Sequence, residues 1–333
     1  MDPKNLSSLQ GVKTNILITG GAGNIGSSLA KKLLENPNYH IVIIDNLSTG
    51  SESKIPASVY NNLTFIKADC NNYSDIARVF SQFFFHYVFH FAAVVGVKRT
   101  QENPLMVLND IKGVEYILQF ARMSKVKKFF YASSSEVYGE PVEIPQKEHS
   151  TPLNSRIPYA VVKNVGECYC RSYYQKYQLP YTIFRFFNTY GPYQTTDFVI
   201  PKFLVAALKN EPITIYGDGS QSRTFTYIED NVDTMIKIME NNLLDNDIIN
   251  IGNDEQISIL DLAKKIIDIT GSKSEIVFLP PLQEGDMSRR LPDNTKMKQI
   301  LNRPLIPLEE GIRKLLKNKD FLHLNSMTHL CAE

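Results

Sequence analysis

The chain has 333 residues, 43% of them hydrophobic and 21% charged, with a net charge of +1. That is an ordinary globular composition, long enough for a large domain and a smaller one, and a charge so near zero argues against nucleic acid or an anionic membrane as partner. No apolar run reaches membrane-spanning length and no charged-then-apolar leader opens the chain, so the expected location is the cytoplasm.

In chain order, strands are expected over 14–19, 40–45, 63–67, 86–92, 127–132 and 181–187. They are short, rich in Ile, Val and Phe, and not alternating, as in a parallel sheet covered on both faces. Helical stretches are expected near 25–36, 74–83, 103–124 and 158–178. The alternation predicts an α/β fold built on a Rossmann-like, doubly wound parallel sheet. Past Phe187 the texture changes: Gly191-Pro192, Gly217-Asp218-Gly219 and Pro280-Pro281 break the chain into shorter pieces. The reading is a main domain over 13–187, a smaller α/β domain over 188–320 that sends one strand near 245–252 back to the sheet, and a loosely held tail over 321–333.

The cysteines stand at 70, 168, 170 and 331, without a C-x-x-C, and the histidines form no ligand cluster. Reduced cysteines and no metal site are expected. His86 and His90 flank an apolar run and read as strand-edge residues.

Gly21-Ala-Gly23-Asn-Ile-Gly26 matches G-x-G-x-x-G, and Gly20 adds a second spacing in register with it. The match follows the first strand and opens the first helix, which is the context a dinucleotide site requires. Glycines let the backbone turn sharply and approach a pyrophosphate at the helix N-terminus. Asp45, ending the second strand, suits an adenosine ribose and would repel a 2′-phosphate, so NAD is expected over NADP. Contacts to NAD are expected from Gly20, Gly23, Asn24, Ile25, Gly26, Asp45, Asn46, Asp69 and Ala92, with Asp69 near the adenine.

Tyr159 and Lys163 form the only Tyr-x-x-x-Lys pair in the chain. On a helix the two share a face, and an ammonium beside a phenol lowers the phenol's pKa. Such a tyrosine can exchange a proton with a hydroxyl near neutral pH. The serine run Ser133-Ser134-Ser135 precedes the pair.

These features together resemble the extended short-chain dehydrogenase/reductase family, in the branch acting on nucleotide sugars, over roughly residues 13–318. The resemblance is carried by Thr19-Gly-Gly-Ala-Gly-Asn-Ile-Gly26, Phe89-His-Phe-Ala-Ala93, Ser133-Ser-Ser-Glu-Val-Tyr-Gly139, Tyr159-x-x-x-Lys163, Arg185-Phe-Phe-Asn-Thr-Tyr-Gly-Pro192 and the stretch from Tyr216 to Tyr227. It implies that Tyr159 takes the proton from the sugar 4-hydroxyl while hydride passes to NAD. Lys163 would hold the nicotinamide ribose and depress the Tyr159 pKa, and Ser134 would hydrogen-bond the 4-oxygen. Asn188 and Arg223 match positions that bind the nucleotide diphosphate, and Tyr216 joins them as a substrate contact. The family dimerises through two helices per subunit, here 103–122 and 158–178, so a homodimer is expected.

Glu136 separates the branches. C4-epimerases resemble one another in a small or polar residue there; decarboxylases and dehydratases carry a glutamate. Dehydratases have Asp-Glu where this chain has Ser135-Glu136. The C-terminal half is most similar to UDP-glucuronate decarboxylase, through Arg223–Tyr227, Thr270–Pro280, Arg289-Arg-Leu-Pro-Asp293 and Pro307–Gly311, and Arg156 fits the same pattern. Against it, Tyr159-Ala-Val-Val-Lys163 replaces Tyr-Asp-Glu-Gly-Lys, and the stretch after Ala93 is more epimerase-like. The resemblance implies oxidation at C4, decarboxylation of the β-keto acid, protonation at C5 by Glu136 with Ser135, and return of hydride to give UDP-xylose. Arg290 would anchor the diphosphate or the carboxylate. The alternatives are a C4-epimerase of UDP-glucose or UDP-N-acetylglucosamine, then a 4,6-dehydratase, and last a non-catalytic dinucleotide sensor.

Overall fold

The computed structural model describes residues 13–56, 60–281 and 290–326. Within it, strands β1 (Thr14–Thr19), β2 (Tyr39–Asp45), β3 (Leu63–Lys67), β4 (Tyr87–His90), β5 (Lys128–Ser134) and β6 (Tyr181–Phe186) alternate with helices α1 (Asn24–Leu33), α2 (Tyr73–Gln82), α3 (Val97–Glu102), α4 (Pro104–Met123) and α5 (Pro158–Tyr177). Each strand is apolar on both sides, and the two sides go to different cores. Ile16, Ile18, Ile41, Ile43, Phe89, Phe130 and Phe184 face one core, while Leu17, Val42, Ile44, Val88, Phe129 and Ile183 face the other. This is the period-2 alternation of a strand read with helices on both faces. Full burial of each such side chain contributes roughly 1.5–3 kcal/mol.

The rest of the chain supplies β7 (Thr189–Tyr190), α6 (Val199–Leu208), β8 (Ile213–Tyr216), β9 (Ser222–Thr224), β10 (Thr226–Tyr227), α7 (Ile228–Glu240), β11 (Asp247–Ile251), β12 (Gln256–Ser258), α8 (Ile259–Thr270), β13 (Ile276–Leu279), α9 (Thr295–Leu301), α10 (Leu308–Leu316) and α11 (Lys319–Leu324). The strand expected near 245–252 is β11, and it pairs parallel with β6. The central sheet is therefore seven-stranded and parallel, in the order β11-β6-β5-β4-β1-β2-β3. The other strands form three small two-stranded sheets. The order reverses between β1 and β4, and a crevice opens there at the carboxyl ends of the strands, where open α/β sheets bind ligands.

Several expectations need correction. The strand over 86–92 stops at His90, because the chain leaves the sheet there to wall the crevice. The helix expected from 103 is preceded by the separate turn of α3, since Pro104 starts α4 at a position where its missing N–H costs nothing. The tail does not begin at Phe321: Phe321 and Leu322 are buried on α11, capped by Asn318, whose side chain accepts from the Phe321 N–H. His90 is the last residue of β4 and is buried there, and burial, with Lys163 behind it, pulls its pKa down to about 3.

Cys70, Cys168 and Cys170 are free thiols, and Cys331 lies outside the described residues. Among the described residues no helix is long and apolar enough to cross a membrane.

Candidate active site

The crevice is a cavity of about 440 Å³, within the range of small-molecule and cofactor sites. Its floor is the glycine turn. Gly20 has φ +66°, and a Cβ there would lie 2.7 Å from the Ala92 amide nitrogen. A Cβ on Gly26 would meet the Gly20 carbonyl oxygen at 2.5 Å. Both positions exclude every side chain, so the turn stays tight enough for a ligand to reach its backbone. The ends of β1 and β4 are clamped beside it: Thr19 Oγ1 lies 2.8 Å from His90 Nδ1 and accepts from the Ala92 N–H at 3.1 Å.

Helix α1 starts at this turn with no side-chain cap. Its first amides and its positive end are left for an external acceptor. Asn24 Oδ1 is buried there without a partner. Asp45 accepts from the Ala22 N–H at 3.0 Å and the Leu47 N–H at 2.8 Å, and borders the cavity with Asn46 and Asp69. Uncapped amides, the orphaned Asn24 oxygen and the glycine cradle fit a pyrophosphate, and the Asp45 carboxylate fits a ribose. All the expected dinucleotide contacts, Ile25, Ala92, Tyr159 and Lys163 included, border the cavity.

Tyr159 and Lys163 sit on the first two turns of α5, where the i, i+4 spacing puts both on the cavity side. Lys163 Nζ is 5.7 Å from the Tyr159 ring centre and donates to the Ala132 carbonyl at 2.7 Å. Burial lowers its pKa to about 8, against the pull of Asp110. Tyr159 is not depressed as the sequence led us to expect. Burial and then the Glu136 carboxylate push its phenol up, while a Ser134 hydrogen bond and the Arg290 charge oppose them. Lys163, its ammonium engaged with the Ala132 carbonyl, does not counter them.

Ser134 ends β5 and caps the 3-10 turn Ser135–Tyr138, accepting from the Glu136 N–H at 3.2 Å. That cap turns Glu136 into the cavity. Glu136 Oε1 is held at 2.6 Å by Arg290 Nη2, and the two side chains are only 17% and 8% exposed. Glu136 Oε2 and Arg290 Nε are buried with no hydrogen-bond partner. Two residues expected to act separately, one on protons and one on substrate, therefore form one pair with a spare position on each side.

Asn188 borders the cavity, donating to the Thr224 carbonyl at 3.0 Å. Arg223 and Tyr216 do not: Arg223 is buried on β9, donating to the Ser222 carbonyl, and Tyr216 is half exposed under Lys202. Arg156 is exposed and off the wall, and Arg289 lies outside the described residues. Lys54 and Asp110 are wall residues that carry no sequence signal. Lys54 is buried near Asp45, its ammonium pulled down by burial despite Asp45 and Asp197. Asp110 holds the turn after β4 by accepting from the Val94 N–H at 2.7 Å. Its carboxyl is raised by burial.

A model of the NAD dependent epimerase/dehydratase family matches residues 16–252. A UDP-N-acetyl-alpha-D-glucosaminuronate decarboxylase of Bacillus cytotoxicus is 35% identical over 92% of this chain and 98% of its own. The crystal structure of a UDP-glucose 4-epimerase from Thermotoga maritima with UDP-glucose is similar with a TM-score of 0.86 and 32% identity, over 94% of this chain and all of that one (100%). A UDP-glucuronic acid 4-epimerase from Bacillus cereus, in complex with UDP-glucuronic acid and NAD, gives 0.84 and 30%, over 93% and 99%.

Proposed function

From the premise that the chain belongs to the NAD dependent epimerase/dehydratase family, we propose that it oxidises a nucleotide-linked uronic acid at C4 and releases its carboxylate as carbon dioxide, converting UDP-glucuronate to UDP-xylose. One observation carries this reading: the Glu136–Arg290 pair in the cavity wall beside Tyr159. A substrate carboxylate can take the place of Glu136 on Arg290 by a charge-assisted hydrogen bond, which a neutral hexose ring cannot. Glu136, so displaced, becomes a proton carrier at C5.

NAD, when bound, supplies the hydride acceptor and then donor, with a positive charge that favours the Tyr159 phenolate. Tyr159 takes the C4 hydroxyl proton, Ser134 hydrogen-bonds that oxygen, and Lys163 below pH 8 adds a cation that supports the phenolate. The C4 ketone makes the sugar a β-keto acid. Its C5–carboxylate bond breaks, carbon dioxide leaves, and the electron pair enters the enolate. Tyr159, protonated and held high by its surroundings, then donates to the enolate oxygen. Glu136, protonated from solvent once Arg290 has released it, delivers the C5 proton with Ser135, and Asn188 contributes to binding the diphosphate.

The exposed apolar residues Leu105, Met106 and Leu108 on α4 and Val161 on α5 support a homodimer built on these two helices. Sedimentation at micromolar protein tests it, and a monomer refutes it.

A second reading, C4-epimerisation of a uronate, is favoured by the epimerase-like stretch after Ala93 and by the likeness to the Bacillus cereus enzyme. It uses the same C4 oxidation and leaves the carboxylate in place. The deciding experiment incubates the protein separately with UDP-glucuronate, UDP-glucose, UDP-N-acetylglucosamine and dTDP-glucose, and reads product masses. Carbon dioxide loss from UDP-glucuronate is expected; an unchanged mass with a new C4 isomer establishes the epimerase instead. Tyr159→Phe should lower turnover by about 10²–10⁴-fold while remaining folded, and full activity in that variant refutes the assignment of Tyr159.

A further inference from the structure

Glu136 and Arg290 come from distant parts of the chain, and one buried side chain connects both of their backbones. The parallel register of β5, β6 and β11 aligns Ser133 with Arg185 and Arg185 with Asn250. These three side chains form a row across the sheet, and Glu167 of α5 closes it from above. Glu167 accepts from Ser133 Oγ at 2.7 Å and from Arg185 Nε and Nη2 at 2.8 and 2.7 Å. Arg185 Nη1 donates to the Tyr138 hydroxyl at 2.9 Å, and that hydroxyl donates to Asn250 Oδ1 at 2.7 Å.

Tyr138 closes the same 3-10 turn that carries Glu136. On its other side, Asn250 Nδ2 donates to the Gln146 carbonyl at 2.9 Å and the Asp293 carbonyl at 3.3 Å. Gln146 in turn is laced to the segment carrying Arg290: its N–H donates to the Leu291 carbonyl at 2.7 Å, and its carbonyl accepts from the Asp293 N–H at 2.8 Å. Asn250 is fully buried, and the amide uses its oxygen toward one partner of the ion pair and its nitrogen toward the other.

We propose that Asn250 is a positioning residue that sets the distance and orientation of Glu136 relative to Arg290, and so governs the C5 half of the reaction apart from oxidation at C4. The inference rests on the uronate decarboxylase reading. Tyr159, Lys163 and Ser134 are held by α5 and the end of β5, and the side-chain hydrogen bonds of Asn250 go instead to Tyr138, Gln146 and Asp293. Loss of Asn250 therefore loosens the acid–carboxylate pair and leaves the oxidation site in place. A displacement of about 1 Å at a reacting group costs on the order of 10²-fold in rate.

The test compares the wild type, Asn250→Ala and Tyr138→Phe on the uronate found to be the substrate. C4 oxidation is read as bound NADH fluorescence in a single turnover, and the C5 step as carbon dioxide release and product mass. Asn250→Ala should oxidise C4 within about threefold of wild type, accumulate bound NADH and release 4-keto sugar, with kcat for the complete reaction down on the order of 10²-fold and KM nearly unchanged. Tyr138→Phe removes one hydroxyl from the same chain of hydrogen bonds, so it should show the same split more weakly, and it remains informative if the alanine variant does not fold. Equal losses in oxidation and in the C5 step would mean a purely structural role and overturn the proposal, as would wild-type kcat in both variants. A wild type that returns every uronate with its carboxylate overturns the decarboxylase reading itself, an outcome seen before any variant is examined.

Discussion

Arg290 Nη2 stands 2.6 Å from Glu136 Oε1 inside the cavity, and each side chain keeps one buried polar atom unpaired. An ion pair that served only stability would close on itself, because an unsatisfied buried polar atom costs about 1–3 kcal/mol. The spare positions are better explained by a ligand that divides the pair. Arg290→Gln should therefore raise KM for the uronate roughly 10-fold or more, the worth of a charge-assisted hydrogen bond, and leave inhibition by UDP-xylose, which has no carboxylate, nearly unchanged. Equal weakening of both would place Arg290 on the diphosphate. Glu136→Gln should keep C4 oxidation and lose about 10²–10⁴-fold in the C5 step.

The glycine turn gives the second prediction. A methyl at position 26 would meet the Gly20 carbonyl oxygen at 2.5 Å, a backbone atom that cannot swing aside. Gly26→Ala should open the turn and remove the cradle at the start of α1. Isothermal titration with NAD should show affinity down by 10-fold or more, on the order of 1.4 kcal/mol, with the far-UV circular dichroism of the wild type. Unchanged affinity would mean that the turn does not hold the pyrophosphate.

Much of this architecture was legible because it is local. Ile16-Leu-Ile followed by the glycine spacing announces a strand, a turn and a helix within a few residues of one another, and Tyr159 and Lys163 meet by helical periodicity alone. What was not legible depends on register between distant strands. Nothing near Glu167 or Asn250 in the sequence says that β6 and β11 will bring Arg185 between them. The pairing of Glu136 with Arg290 needed the Gln146 segment to bridge two loops. Arg223 was placed in the site by motif likeness; it is buried on β9, which pairs with β12, and does not border the described cavity. The Tyr159 shift went astray for a related reason: the helix spacing was right, but burial and Glu136 outweigh a lysine that is bound to Ala132.

The Glu167–Arg185 pair offers a test of stability rather than chemistry. Glu167 is 0% and Arg185 2% exposed, and they share two hydrogen bonds. Burial alone would lower the arginine's pKa, but the hydrogen bonds and charge of Glu167 outweigh it and leave it raised. Removing one partner strands a buried charge, so Glu167→Met or Arg185→Met alone should cost about 3–5 kcal/mol of unfolding free energy. Replacing both residues with methionine should cost less than the sum of the two single changes. Urea denaturation of the four proteins measures this, and strict additivity would show that the pair is not coupled.

Lys163 predicts a pH dependence of unusual sign. Burial lowers its pKa from 10.5 to about 8 in the folded protein. Between those two values the unfolded chain binds more protons at this residue than the folded one, so its contribution to stability rises with pH. This is not the behaviour of a lysine that gains a partner, whose contribution is lost as pH rises through the folded pKa. Below about pH 8 the lysine is charged in both states, and the cost of burying that charge is fully present. In Lys163→Met that cost is gone at every pH, while the titrating tyrosines and carboxylates remain common to both proteins. The stability of the wild type minus that of Lys163→Met should therefore become more favourable to the wild type as pH increases above 8, with a slope approaching about 1.4 kcal/mol per pH unit. Urea unfolding of both proteins at several values from about pH 7 to about pH 9.5, across the buried lysine's titration and below that of an ordinary lysine, measures that slope. A difference that stays flat across the range would mean that Lys163 keeps an ordinary lysine pKa, and that its charge supports Tyr159 well into the alkaline range.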